Sequence, residues 1–127
     1  MSLLVVFLTS VSISLNIASD VPYDAIENAF EVNDFKAISL MGKDKVLFNI
    51  LGKEGVYSQP QASLVLKDFF KRKPGTRFNF FFKGQESSRG SFAIGKYKSR
   101  SGEFRVTIHF KKINNYFKIE SLTIEAS

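Results

Sequence analysis

The sequence predicts an α+β fold: a curved antiparallel sheet of four or more strands packed against N-terminal helices and one central helix. Three observations carry that expectation. A capped run with helical periodicity occupies the middle of the chain, period-two alternation fills the C-terminal half, and the last strand changes phase part-way along. With 127 residues and no linker, internal repeat or low-complexity tract, the chain suits one domain.

The N-terminal run "SLLVVFLTSVSISL", Ser2 to Leu15, carries no charge and is followed by small residues at Ala18 and Ser19. An apolar stretch before a small-residue cleavage site has the build of a secretory signal, although the usual positive n-region is missing. The expected division is therefore a signal peptide over 1–19 and a single domain over 20–127. The mature chain would begin near Asp20 and be exported, to a periplasm or beyond. An uncleaved anchor and a β-strand of the fold remain as rival readings, the second because the run is rich in β-branched residues. The run falls short of the ~20 apolar residues a span needs, so no stable membrane span is expected after cleavage.

In "SDVPYDAIENAF", Ser19 or Asp20 is positioned to cap a helix and Pro22 suits its first turn. Ile26, Ala29 and Phe30 share one helical face. Asn33 and Asp34 interrupt, and "FKAISLM" resumes the pattern, so two short helices or one bent helix should end near Gly42. "KVLFNILG" alternates Val46, Phe48 and Ile50 against Leu47 and Leu51, which predicts a strand covered on both faces. "GKEG" reads as a turn and "VYS" as a short extended return.

The central helix has the clearest local logic. Ser58 followed by Gln61 forms a capping box, and Pro60 falls in the first turn, where a missing N–H costs little. Ala62, Val65, Leu66, Phe69 and Phe70 form a core-facing stripe; Lys71, Arg72 and Lys73 suit the negative end of the helix dipole; Pro74-Gly75 ends the run.

The remainder alternates. "RFNFFFKG" puts Phe78, Phe80 and Phe82 on one face, "SFAIGKYKS" is a second strand and "RSGE" a hairpin loop. In "FRVTIHFK" Phe104, Val106, Ile108 and Phe110 face in, while Arg105, Thr107, His109 and Lys111 face out. "INN" is a tight turn. In "YFKIESLTIE" the apolar phase shifts between Ile119 and Leu122, the signature of a β-bulge near Glu120–Ser121.

Composition excludes several chemistries. There is no Cys and one His, so disulfides, thiolate catalysis and multi-His metal sites are out of reach of a single chain, and no metal is expected. No GxSxG, phosphate-loop, HExxH or Ca²⁺-loop pattern occurs, so no cofactor and no catalytic set is implied. The net charge of +6 is uneven: Lys67 to Lys118 holds 14 Lys and Arg against Asp68, Glu86 and Glu103. Such a basic half suits an acidic or anionic partner. Nucleic acid is not expected as that partner, because stacking platforms need exposed aromatics and most Phe residues here alternate as a core face.

Three segments together, "ILGKEGVYSQPQASLVLKDFF" (Ile50–Phe70), "SFAIGKYKSRSGEFRVTIHFKK" (Ser91–Lys112) and the "DVPYDAIENAF" start, resemble a family of small exported bacterial proteins of unknown function with a nuclear-transport-factor-2-like fold, also called a cystatin-like cone. The resemblance spans roughly Asp20 to Glu125 and implies a curved sheet wrapped around helices. It implies no activity. By analogy of fold alone, a pocket between concave sheet and helices is where some relatives act as isomerases or dehydratases with Asp, Tyr or His.

Three residues are pocket candidates on that basis. Tyr57 precedes the helix cap, either pointing a phenol into a pocket or stapling the helix entry. His109 is the single imidazole, and Arg105, Thr107 and Lys111 are its neighbours by alternation; a general base wants a carboxylate beside it to orient it, so these neighbours suit an outward strand position better. Were the alternation inverted, Arg105 and His109 would line an anionic-ligand site. Asp44 and Asp68 read as solvated acids. The function expected is a non-enzymatic ligand-binding or protein-interaction module, with a small-molecule isomerase or dehydratase as the alternative. Its partner would be a small molecule or an envelope protein, or a second copy joined through a sheet face by residues such as Phe81 and Tyr97.

Overall fold

The structure, a computed structural model, describes residues 20–127; the expected signal peptide lies outside them. Helices α1 (Tyr23–Glu31) and α2 (Phe35–Leu40) come first, then strands β1 (Gly42–Ile50) and β2 (Lys53–Ser58), helix α3 (Gln59–Arg72), and strands β3 (Gly75–Lys83), β4 (Ser91–Ser99), β5 (Gly102–Ile113) and β6 (Tyr116–Ala126). The strands form one six-stranded sheet in the order β2-β1-β6-β5-β4-β3. All neighbours are antiparallel except β1 and β6, which run parallel and join the two hairpin groups.

Local chemistry explains the boundaries. The Ser58 hydroxyl accepts from the Gln61 N–H at 3.4 Å, and the Gln61 side chain accepts from the Ser58 N–H at 3.1 Å, which closes the capping box. Helix α1 starts differently from the sequence expectation. Pro22 is its N-cap and Asp20 does not cap it; Ser19 lies outside the described residues. The β1–β2 turn is Leu51–Gly52, both with positive φ, which matches the right-handed twist of a two-residue hairpin. The turn thus begins one residue earlier than the expected Gly52–Gly55 and is two residues shorter, and Lys53 already belongs to β2. Asn114–Asn115 makes a second turn of this kind, as expected.

Register slips occur in β1, β3 and β6, and two of them set the faces of the aromatic residues. In β6, Ser121 sits opposite His109 and Ile119 opposite Phe110, leaving Glu120 extra; the phase change in the sequence is this bulge. In β3, Phe80 pairs with Gly95 and Phe82 with Ile94, leaving Phe81 extra. That second slip corrects the expectation that Phe78, Phe80 and Phe82 share a face: Phe82 turns to the outside with Phe81.

The helices cover the inner face, where the core is largely aromatic. Phe30 stacks on Phe78 with centroids 4.5 Å apart, and meets Phe70 edge-on at 5.6 Å. Tyr97 lies among Phe30, Phe69, Phe70 and Phe104, all within 6.2 Å. Such pairs add roughly 0.5–1.5 kcal/mol each beyond the area they bury. Tyr97 is fully buried and is no interface residue, which corrects that expectation. Its hydroxyl lies 2.7 Å from the Lys73 carbonyl and 3.0 Å from Asn33 Oδ1. Asn33, at φ 57°, also brackets Gly75, donating to its carbonyl and accepting from its N–H. The interruption between the first two helices is therefore a junction that ties α1, the end of α3 and β3 together.

Candidate functional site

The concave side, where a cone of this kind would hold a pocket, is filled by the rings of Phe30, Phe69, Phe70, Phe78, Tyr97 and Phe104. Burial pushes the Tyr97 phenol up to about 12, so it stays a neutral donor across the physiological range. The Tyr23 hydroxyl is the one buried side-chain polar atom among the described residues without a hydrogen-bond partner. Burial, and then the charge of Glu86, raise its pKa, while its ring packs on Phe80 at 5.1 Å under the Lys83 ammonium.

The three candidate residues fall in two places, on opposite sides of the sheet. Tyr57 faces the helices. Its ring tilts against Phe48 at 5.9 Å and folds back along β2 over Gly55, where an added Cβ would stand 2.5 Å from the phenol oxygen. It floors an open cleft of about 330 Å³ between β2 and α3, with Ile50, Leu64 and Val65 as apolar walls and Lys53, Asp68 and Arg72 at the rim. Asp68 and Arg72 are ion-paired at 2.8 Å and solvated, as Asp68 was expected to be.

Arg105 and His109 sit on the outer face, so the alternation was not inverted. About 13 Å of β5 separates them, from four steps along a strand. Arg105 lies between Lys96 and Glu125 across the strands, in a shallow depression beside Phe81. His109 faces Phe92 on one side and Ser121 on the other. Its ring stacks on Phe92 at 5.5 Å and 22°, and Phe92 in turn meets Phe82 at 5.3 Å. Phe82 is 44% and Phe92 38% exposed. Among the described residues no carboxylate is bonded to Tyr57 or His109, and no three His, Asp or Glu side chains gather as a metal site would require.

This outer row was not legible beforehand. Register extends it from Phe92 and His109 through Ser121 and Leu47 to Val56, crossing β4, β5, β6, β1 and β2. At ~4.8 Å per strand the row is about 19 Å long. Leu47 and Val56 are exposed, so β1 is not covered on both faces as its sequence suggested. Lys43, Lys45, Lys96, Lys98, Arg105 and Lys111 lie on the same face, with Glu125 opposite Arg105, and among the described residues Glu103 and Glu120 form the ion pairs made by these cations.

Residues 23–125 match the family described as Domain of unknown function (DUF4783). The chain belongs to the DUF4783 family. A DUF4783 protein from Bacteroides ovatus is similar at 25% identity and a TM-score of 0.76, over 81% of this chain and 93% of that one. More distant likenesses bear on the fold. A domain of unknown function with a cystatin-like fold from Nostoc punctiforme matches at 11% identity and a TM-score of 0.65, over 82% of this chain and 72% of that one. An NTF-2-like protein of unknown function from Silicibacter pomeroyi matches at 9% and 0.62, over 82% and 88%. No curated protein matches the chain. The expected cystatin-like, nuclear-transport-factor-2-like cone is thus the fold of this DUF4783 chain, and the family carries no assigned activity. No helix among the described residues is long and apolar enough to cross a membrane.

Proposed function

We propose that this DUF4783 domain is an exported, non-enzymatic protein-interaction module whose outer sheet face binds an acidic, partly apolar surface of an envelope protein. The observation that carries this reading is the Phe82–Phe92–His109 stack lying open to solvent amid cations. Exposed aromatics at the centre of a patch, with a charged rim, match the anatomy of interaction hot spots. The rim selects the partner's charge, because a cationic border steers an acidic surface into contact. A second copy related by a two-fold axis would set these lysines against one another, which disfavours self-association through this face. An inner face filled by aromatic rings, apart from the open cleft at Tyr57, where no described carboxylate is bonded to the phenol, supports binding on the outside over turnover within.

The test is capture from an envelope extract of the native bacterium with the full chain and with a Phe82→Ser/Phe92→Ser double variant. The expected result is an acidic protein held by the natural chain, released as salt rises and lost with the variant. Equal capture by both chains would overturn the reading. So would a dimer of this chain in sedimentation that the variant breaks.

A further inference from the structure

The two edges of the sheet are treated differently, and the difference marks a second binding surface. At the β3 edge, the Glu27 carboxylate accepts from the Phe80 N–H at 3.2 Å, Asn33 takes both backbone groups of Gly75, and the Phe81 bulge breaks the ladder. These are devices that block a sheet from pairing with another strand. The β2 edge has none of them. A two-residue hairpin makes its closing pair, Ile50 and Lys53, exchange both hydrogen bonds, so Lys53, Gly55 and Tyr57 turn their backbone groups toward β1. Those of Glu54, Val56 and Ser58 then point outward. Ser58 fits this pattern, since its N–H is taken by Gln61, and no further backbone bond involves Glu54 or Val56. Two donors and two acceptors remain along the edge.

The cleft floored by Tyr57 opens beside that edge. A strand added to β2 would run ~4.8 Å from it and send alternate side chains down between itself and α3. There they would meet Leu64, which is 65% exposed although it stands on the helix that carries the core stripe, and Val65. Toward the turn they would meet Lys53, which has no ion-pair partner among the described residues, and Arg72.

We propose that the β2 edge and the adjoining β2–α3 cleft bind an extended peptide by strand addition, with apolar residues over Tyr57 and Leu64 and an acidic residue at Lys53. Main-chain bonds to Glu54 and Val56 give affinity and the cleft gives side-chain preference. In antiparallel pairing the motif reads apolar, any, apolar, any, acidic, because inward positions recur every second residue and the peptide runs from the Ser58 end toward Lys53. This surface shares only Val56 with the outer row, using its backbone where the row uses its side chain, so Leu64→Glu and Phe92→Ser tell the two readings apart.

The experiment is selection of displayed random ten-residue peptides on the full chain, followed by binding to variants. Val56→Pro removes an edge donor without touching the β1 ladder, Leu64→Glu alters the cleft from a solvent-exposed helix position, and Phe92→Ser serves as the outer-face control. Thermal unfolding checks that each variant is folded. The expected result is enrichment of alternating apolar peptides ending in an acid, with at least tenfold weaker binding to Val56→Pro and to Leu64→Glu and unchanged binding to Phe92→Ser. Failure to enrich such peptides, or enriched peptides that bind folded Val56→Pro and Leu64→Glu as well as the natural chain, would overturn it. A dimer that Val56→Pro separates would do the same, because the edge would then belong to a second copy.

Discussion

The imidazole of His109 lies parallel to the ring of Phe92 on the neighbouring strand, at 5.5 Å and on the side of the sheet away from the helices. The pairing follows from register: both residues occupy outward positions of an antiparallel pair, and side chains directly opposite are the closest neighbours across strands. The arrangement leaves the single histidine of the chain supporting an aromatic surface.

If that surface is for binding, its rings should matter little to folding. Phe92→Ser is expected to cost about 1 kcal/mol or less, as surface substitutions do. Phe30→Ala, in the aromatic core, should cost roughly 3–5 kcal/mol from lost burial and the cavity left behind. Urea unfolding of both variants gives the comparison; similar losses would mean the outer rings are structural.

The Asn33 junction separates two contributions. Asn33→Gly keeps the left-handed backbone while removing the bonds to Gly75 and Tyr97; Asn33→Ala removes the bonds and opposes the backbone as well. Both should destabilise, and Ala by about 1 kcal/mol more than Gly. Thermal unfolding midpoints in the order natural, Gly, Ala would bear this out, and Ala at or above Gly would contradict it.

Tyr97 should leave a signature at high pH. Its folded pKa is pushed up to about 12 by burial, against 10.0 for a free phenol. Between those values the unfolded chain loses a proton that the folded chain keeps, so stability from this group is complete below about pH 10 and declines toward pH 12. Tyr97→Phe should flatten that part of the stability profile relative to the natural chain, and should cost about 1–2 kcal/mol near neutrality through the lost hydrogen bond to Lys73. Parallel profiles above pH 10 would show that the phenol is not held as described.

Ser58→Ala should cost about 1 kcal/mol by opening the capping box. Circular dichroism during thermal unfolding reads the effect, and an unchanged midpoint would mean that packing of α3 makes its cap redundant.

What the sequence disclosed tracks how local each signal was. The central helix was legible end to end because cap, stripe and stop lie within its own residues, and the β6 bulge because its apolar residues change parity between Ile119 and Leu122. The β3 bulge was hidden by composition: in a run of three phenylalanines, Phe80 to Phe82, a slip of one residue still puts phenylalanine on both faces. The β1–β2 turn was misplaced because Leu51, a poor left-handed residue, takes a positive φ that glycine would have advertised. The parallel pairing of β1 with β6 and the outer row from Phe92 to Val56 depend on contacts distant in sequence, for which no local periodicity exists. Of the candidate residues, His109 and Arg105 were read on the correct face, whereas the cleft around Tyr57 needed α3 and β2 brought together.

The central claim is that the outer sheet face is the surface through which this chain works. A photo-crosslinking phenylalanine analogue at position 92, with position 30 in the core as control, tests it in living cells. The account predicts covalent capture of a different, acidic polypeptide from position 92 and none from position 30. Silence at position 92, or products containing only this chain, would contradict it.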